Sequence, residues 1–332
     1  MLKLYRANQP YTLPLLFVTL LVLRIVTFYS YPETPTYNGG LFSDLIYALI
    51  GKSELILQII ALILVFLQAF IVNRVANEYN LQPETTYLTA LFYILLASFS
   101  PAMHSLSPAL IGNTFFIIAF IELLRSYKNA QSADLIFNIG FWIAIASLCY
   151  QSYWVFIIFG IIGIIKLRTL RIEEILILLS GFAVPYVLLF VYYFWVDGLV
   201  GFTKNNILAH FDFLGFRIEN IWQNYLSLGV WLLALLTVLL NSGTFFEKAG
   251  IYTQRNTTLL FYLLLVAGLS FFTQSKLGMT HLYLFIIPLS IFLAHTFLAI
   301  RKPSHAEFAF ITILLVTIVF HYIDPILETL AK

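Results

Sequence analysis

Residues 30–54 read SYPETPTYNGGLFSDLIYALIGKSE, a polar interruption between two long apolar runs. It carries Glu33, Asp44 and Glu54, a Gly39-Gly40 turn, and a short run from Leu41 to Ile50. In that run Leu41, Leu45 and Leu49 recur every fourth residue with Ile46 beside them. The spacing predicts a short helix with one apolar stripe and with Ser43 and Asp44 on its wetter side. A helix of this kind lies along a membrane surface. The flanking runs, 13–29 and 55–72, approach the ~20 residues needed to cross a hydrocarbon core.

Composition extends that reading to the whole chain. Apolar residues make up 61% and charged residues 10%, against ~45–50% and ~25% in soluble domains. A water-soluble fold is excluded. Net charge is +2 and the basic residues are scattered through short turns, so no nucleic-acid partner is expected. The single cysteine, Cys149, excludes an intrachain disulfide and every multi-cysteine metal or redox motif. Lys3 and Arg6 precede the first apolar run, and no small-residue cleavage pattern follows Phe28, which marks an uncleaved first span.

Eleven apolar segments can be marked, at 13–29, 55–72, 86–99, 107–124, 134–150, 153–168, 174–196, 225–240, 257–273, 281–300 and 306–323. They predict an all-α, polytopic transmembrane bundle of about eleven spans, forming one integral membrane domain over 1–332. Several segments are short, 86–99 above all, and fusing two of them into a hairpin would bring the count to nine or ten. With the N-terminus inside, twelve Lys and Arg fall in inward turns and five in outward ones, with Arg24 within a span. That bias predicts a bacterial inner-membrane protein with a cytoplasmic N-terminus and an external C-terminus. The outward turns 30–54 and 197–224 are long. The second holds another amphipathic pattern, Ile207, Phe211, Leu214, Ile218, Ile221 and Trp222, which predicts a second interfacial helix.

On this topology Asp44 sits beside the outer mouth of the first two spans. A carboxylate there could serve as a general base toward a sugar hydroxyl, or hold a divalent metal bound to a phosphate. Arg24 is the sharpest intramembrane anomaly, either snorkelling outward or facing the interior to hold a lipid-linked phosphate by paired hydrogen bonds. Lys204 and Arg217 are candidates for a phosphate or lipid headgroup. The outer side also gathers His104, His210, Asp212, Lys276 and His281 as candidate cavity residues. No two histidines stand three or four apart, so no metal site is assigned and no cofactor is called for. Walker A, dinucleotide, HExxH and GxSxG patterns are missing, which removes a soluble nucleotide-driven mechanism.

Two resemblances bear on function. The run LQAFIVNRVANEYNLQPETTYLTALFYILLASFSPAMHSLSPALIGNTFFIIAFIELLRSYK at 67–128, continued by IFNIGFWIAIASLCYQSYWVFIIFGIIGIIK at 136–166, is similar to a family of bacterial polytopic inner-membrane proteins of unknown function. The second is architectural. An inward N-terminus, a long first outer loop with a surface helix and an acid, an outer turn at Ser100-Pro101 and a long later outer loop resemble the GT-C membrane glycosyltransferases. That resemblance implies a polyprenyl-phosphate-linked sugar as donor, with a first-loop acid as base, for which Asp44 is the match. The chain departs from it in having no clear acidic pair in loop one and no large C-terminal outer domain.

The expectation is a GT-C-like protein of envelope glycan or lipid-linked sugar metabolism, with membrane lipid as its partner. A non-enzymatic assembly factor or scaffold is the alternative. A lipid or solute transporter is the third, weakened because Pro101, Pro185 and Pro288 do not map one half of the chain onto the other.

Overall fold

The computed structural model describes residues 2–6, 9, 11–25, 28, 39–51, 53–127, 132–168, 171–203, 222–246, 250–273, 278–300 and 302–330. Among the described residues there is no strand. In order come α1 (Leu2–Arg6), α2 (Thr12–Arg24), α3 (Leu41–Ile50), α4 (Glu54–Glu78), α5 (Leu88–Ala97), α6 (Pro108–Arg125) and α7 (Ala133–Cys149). Then follow α8 (Phe156–Leu167), α9 (Ile172–Trp195), α10 (Leu199–Phe202), α11 (Trp222–Leu240), α12 (Ile251–Leu269), α13 (Tyr283–Ala299) and α14 (Pro303–Leu330). Short 3-10 turns at Pro101–Met103, Gln151–Val155, Ser270–Thr273 and Met279–Leu282 adjoin them.

Each apolar segment marked in the sequence overlaps one of these helices, although 13–29 runs beyond α2, with 26, 27 and 29 outside the described residues, and 86–99 extends past both ends of α5. Among the described residues, five stretches are long and apolar enough to cross a membrane: Glu54–Glu78, Pro108–Arg125, Ile172–Trp195, Thr253–Thr273 and Met279–Ala299. The strongest sign of a lipid surround is α9. Its mean hydropathy is 2.4, yet only 17% of its apolar window is buried in the protein. In water, exposing Leu176, Val187, Leu188, Val191, Phe194 and Trp195 together would be strongly unfavourable; against acyl chains it is not.

The centre of the bundle is α5 against α13. All ten residues of α5 are buried, and 83% of the α13 window is. At 1.5 Å per residue α5 rises only ~15 Å, so the segment expected to span over 86–99 is a short helix walled in by neighbours. Polar clusters stop it at both ends. Before it, Gln82 bonds Asn77 and accepts from Thr89 Oγ1 at 2.9 Å, and Asn77 Nδ2 donates to Thr86 O at 3.2 Å. After it, Ser98 and Ser100 lead into the turn at Pro101. The next helix begins cleanly, with Ser107 Oγ accepting from Leu110 N at 3.2 Å and proline at the first helical position.

One buried polar network ties four elements together. Gln68 of α4 donates to Leu110 O at 2.9 Å and to Thr114 Oγ1 at 2.6 Å, while its carbonyl accepts from Tyr93 of α5 and Asn113 of α6. Asn113 donates to Tyr93 at 2.7 Å and accepts from Tyr153 at 3.2 Å. A closed network of this kind fixes helix register where lipid supplies no partner.

Among the described residues, the contacts between connections fall into two sets, one at each end of the bundle. At the first end α3, Leu106, Cys149, Tyr150, Ser270 and His281 are joined by hydrogen bonds. At the second, Asn256 Nδ2 donates to Tyr79 O at 3.1 Å, Arg168 Nη1 to Ser126 O at 2.6 Å, and Tyr87 N to Tyr5 O at 2.9 Å. Cations lie over tyrosine rings there, Lys166 on Tyr262 at 5.3 Å and Arg255 on Tyr127 at 6.0 Å.

At the second end, Arg6 grips Glu84 with two bonds, Nε to Oε2 at 3.0 Å and Nη2 to Oε1 at 2.8 Å. The hydrogen bonds from Arg6 hold the Glu84 carboxyl below its ordinary 4.5. A depressed folded value means the pair stabilises the fold above that ordinary value and ceases to as pH falls through the lower one. Both side chains are about half exposed, so the contribution is under about 1 kcal/mol. Glu84→Gln is therefore expected to lower the melting temperature in detergent slightly at pH 7, and the difference from wild type should shrink as pH falls below the ordinary carboxyl range and vanish once Glu84 is protonated in the folded state.

Candidate functional site

The site expected from the sequence lies at the first end, where α3 is seated on the bundle. Gly40 N donates to Cys149 O at 2.8 Å, and a side chain on Gly40 would stand 2.2 Å from Leu148 O. Only glycine admits that approach. Tyr47 OH donates to Leu106 O at 3.0 Å, and Ser43 Oγ to Gly40 O at 2.7 Å. The helix closes at Gly51, whose φ of 88° suits the C-terminal cap and whose N–H bonds Tyr47 O at 3.0 Å.

This seating turns α3 from the orientation expected of it. Ser43 is fully buried, Phe42, Ile46, Tyr47 and Ile50 pack on the core, and Leu45 and Leu49 are exposed. Contacts with the protein outweigh the simple apolar stripe, because Tyr47 reaches Leu106 O only when turned inward. Asp44 stays on the exposed side, in the first turn. There its negative charge lies at the positive end of the helix dipole.

Arg24 does not snorkel. It is 1% exposed at the end of α2, and its guanidinium points into the bundle. Nε donates to Ser98 Oγ at 3.3 Å, Nη1 to His104 O at 3.3 Å, and Nη2 to Ala97 O at 2.9 Å and Met103 O at 3.3 Å. Ala97 ends α5, where carbonyls have no helical partner and the helix carries partial negative charge. The arginine thus caps α5 and holds the turn at Pro101–Met103. The phosphate-binding role assigned to it from the sequence is not retained, because these donors are engaged by the protein.

His104 and His281, expected to line a cavity, are buried as well. His104 Nε2 lies 3.0 Å from Ser98 O and so carries the proton. His281 bridges Tyr150 OH and Ser270 Oγ, each at 2.9 Å. Ser270 Oγ donates to Ala267 O at 2.6 Å, so it accepts from Nε2–H, and Nδ1 accepts from Tyr150. Met103 O also accepts from Tyr283 OH at 2.8 Å. Arg24, His104 and the turn bearing His281 are therefore brought together as one buried assembly beneath α3. Among the described residues no three His, Cys, Asp or Glu side chains converge as metal ligands would.

A family model described as "Family of unknown function (DUF6427)" matches residues 34–330. The chain belongs to this family. The DUF6427 match takes in α3 with Asp44 and every later helix, whereas Arg24 precedes it. No curated protein and no solved structure matches the chain. In this DUF6427 member Lys204, His210, Asp212, Arg217 and Lys276 lie outside the described residues, as does the interfacial helix expected over 207–222 apart from Trp222. Sequence reasoning passed over the anchors of α3. The Gly39-Gly40 pair was the available signal, since adjacent glycines ahead of a helix mark a close backbone approach.

Proposed function

We propose that this chain is an eleven-span, GT-C-like protein of the bacterial inner membrane, with its N-terminus cytoplasmic and its C-terminus external, acting in envelope glycan or lipid-linked sugar metabolism. The observation that carries the reading is the seating of α3: an interfacial helix pinned by Gly40 and Tyr47 that leaves Asp44 exposed in its first turn. A carboxylate fixed in place at a lipid surface is what base catalysis on an acceptor hydroxyl needs. Asp44 takes the hydroxyl proton, the oxygen bonds to the anomeric carbon, and the bond from that carbon to the phosphate oxygen breaks. The electron pair leaves with the polyprenyl phosphate. Lys204 and Arg217, on the long outer loop, are the cations proposed to hold that phosphate.

The test is transfer from a panel of polyprenyl-phosphate-linked hexoses by membranes containing equal amounts of wild type and Asp44→Asn. Loss of the base should slow turnover at least about a hundredfold. Equal turnover in the two, or no transfer by wild type from any donor, defeats the proposal.

A second reading, a non-enzymatic assembly factor, is favoured by the engagement of Arg24, His104 and His281 with protein acceptors, which makes that end of the bundle a solid platform. On that reading Asp44→Asn changes nothing, while substitutions on the exposed Leu45 and Leu49 abolish co-purification of a membrane partner.

A further inference from the structure

At the second end, α7 and α9 start side by side, and a cleft of about 530 Å³ opens at their first turns. Its polar lining is Ser132, Asp134, Arg168, Arg171, Glu173 and Glu174, with Ile136 and Ile177 further along the two helices. Arg168 and Glu174 form a wall. Arg168 Nε donates to both carboxylate oxygens at 3.0 and 3.1 Å, Nη2 stands 2.9 Å from Oε1, and Nη1 bonds Ser126 O. Facing a ligand are one exposed cation, Arg171, and two exposed carboxylates, Asp134 and Glu173.

Ser132 supplies a separate signal. It stands at the N-cap of α7, where a serine Oγ ordinarily accepts from a first-turn amide. Here it makes no such bond. The residue is 2% exposed, and its Oγ is buried without a hydrogen-bond partner. A buried hydroxyl in that state is stabilised by any ligand atom that reaches it. The first turn of α9 also lacks a side-chain cap. Two parallel helix starts therefore present amides and partial positive charge at the same cleft.

We propose that this cleft binds the headgroup of a phospholipid bearing a primary ammonium, of which phosphatidylethanolamine is the simplest. The phosphate meets Arg171, Ser132 Oγ and the first-turn amides, and the ammonium sits with Asp134 and Glu173. A simple anion would face two carboxylates, and a simple cation would face an arginine and two helix N-termini; a zwitterion satisfies both. A primary ammonium donates hydrogen bonds to carboxylates, which a choline group cannot. The acyl chains have a surface to follow, because Ile172, Leu176 and Leu179 form an exposed stripe running from the cleft along α9. The proposal needs only the membrane setting of α9 and is independent of any role of Asp44.

Native mass spectrometry of the full chain in detergent tests it, with phosphatidylethanolamine, phosphatidylglycerol and phosphatidylcholine of matched chains as probes. Wild type should retain the ethanolamine lipid about tenfold more tightly than the other two, the worth of one charge-assisted pair. Asp134→Asn with Glu173→Gln should erase that preference, and Arg171→Ala should weaken all three lipids. Ser132→Ala, the change of one buried atom, should weaken ethanolamine lipid about threefold and serves if the double variant does not fold. Glu84→Gln, at the same end but outside the cleft, should leave the preference intact. The proposal fails if wild type shows no preference, or if the double variant keeps it. It also fails if soluble phosphoethanolamine displaces the lipid completely at equal concentration, which would make a water-soluble phosphoamine the occupant.

Discussion

Replacing Arg24 with leucine is expected to destabilise the bundle by about 4 kcal/mol, enough to leave little folded protein in detergent at 37 °C. The acceptors decide the magnitude. Three of the four are backbone carbonyls, at Ala97, Met103 and His104, and cannot be removed with the arginine. Exchanging buried charges for apolar groups can be neutral when both partners go. Here only the donor goes, and buried oxygens are left without it. Counting each bond at the ~0.6 kcal/mol typical between membrane helices gives about 2 kcal/mol. Counting them as bonds to a charged group gives about 6 kcal/mol or more. Burial of the whole assembly argues for the middle of that range. Arg24→Lys should recover about half, because an ammonium is a point donor that cannot span acceptors arranged for a planar fork. Thermal unfolding followed by light scattering checks both variants. A melting temperature within a degree or two of wild type for the leucine variant would mean that Arg24 is not the clasp of this turn.

The Arg24 assembly also marks where the sequence stops being legible. Apolar runs reveal helices because burial in lipid demands apolar residues along their whole length, so the segments over 55–72, 107–124 and 174–196 fall inside α4, α6 and α9 apart from single residues at the edges. The helix expected over 41–50 is α3 itself. Arg24 stood out as anomalous, but its partners are main-chain carbonyls, which leave no mark in a sequence. The same holds for His104, whose partner is Ser98 O, and for Gly40, whose partner is Cys149 O. The rotation of α3 was hidden for a related reason. The stripe of Leu41, Leu45 and Leu49 reads as a buried face in water, but at a lipid surface an exposed leucine costs little, and the bonds from Tyr47 to Leu106 O and from Gly40 N to Cys149 O decide the orientation. The cleft between α7 and α9 is built from residues on either side of α8, which only the packing of the two helices brings together.

That packing yields the second large effect. A side chain on Gly140 of α7 would stand 2.0 Å from Leu178 O and 2.7 Å from Phe182 N of α9; one on Gly181 of α9 would stand 2.1 Å from Phe137 O of α7. The obstacles are backbone atoms, so no rotamer change relieves them and the two helices must separate by an ångström or so. Gly140→Ala is expected to cost about 3 kcal/mol, at the upper end of overpacking penalties, against a helix-propensity gain of about 1 kcal/mol. Gly268→Ala in α12, where nothing lies within 4 Å of the added carbon, should show only the gain and melt slightly higher than wild type. The contrast separates close approach from any general intolerance of alanine. Gly181→Ala should cost much the same as Gly140→Ala, yet the double variant should cost well under twice either one, because the first methyl already opens the gap that the second requires. Full additivity would mean that the two glycines report separate contacts and that α7 and α9 do not move as one pair. A sub-additive pair whose ethanolamine-lipid preference falls with its stability would link this crossing to the cleft at its end, since separating the helices also parts Asp134 from Glu173.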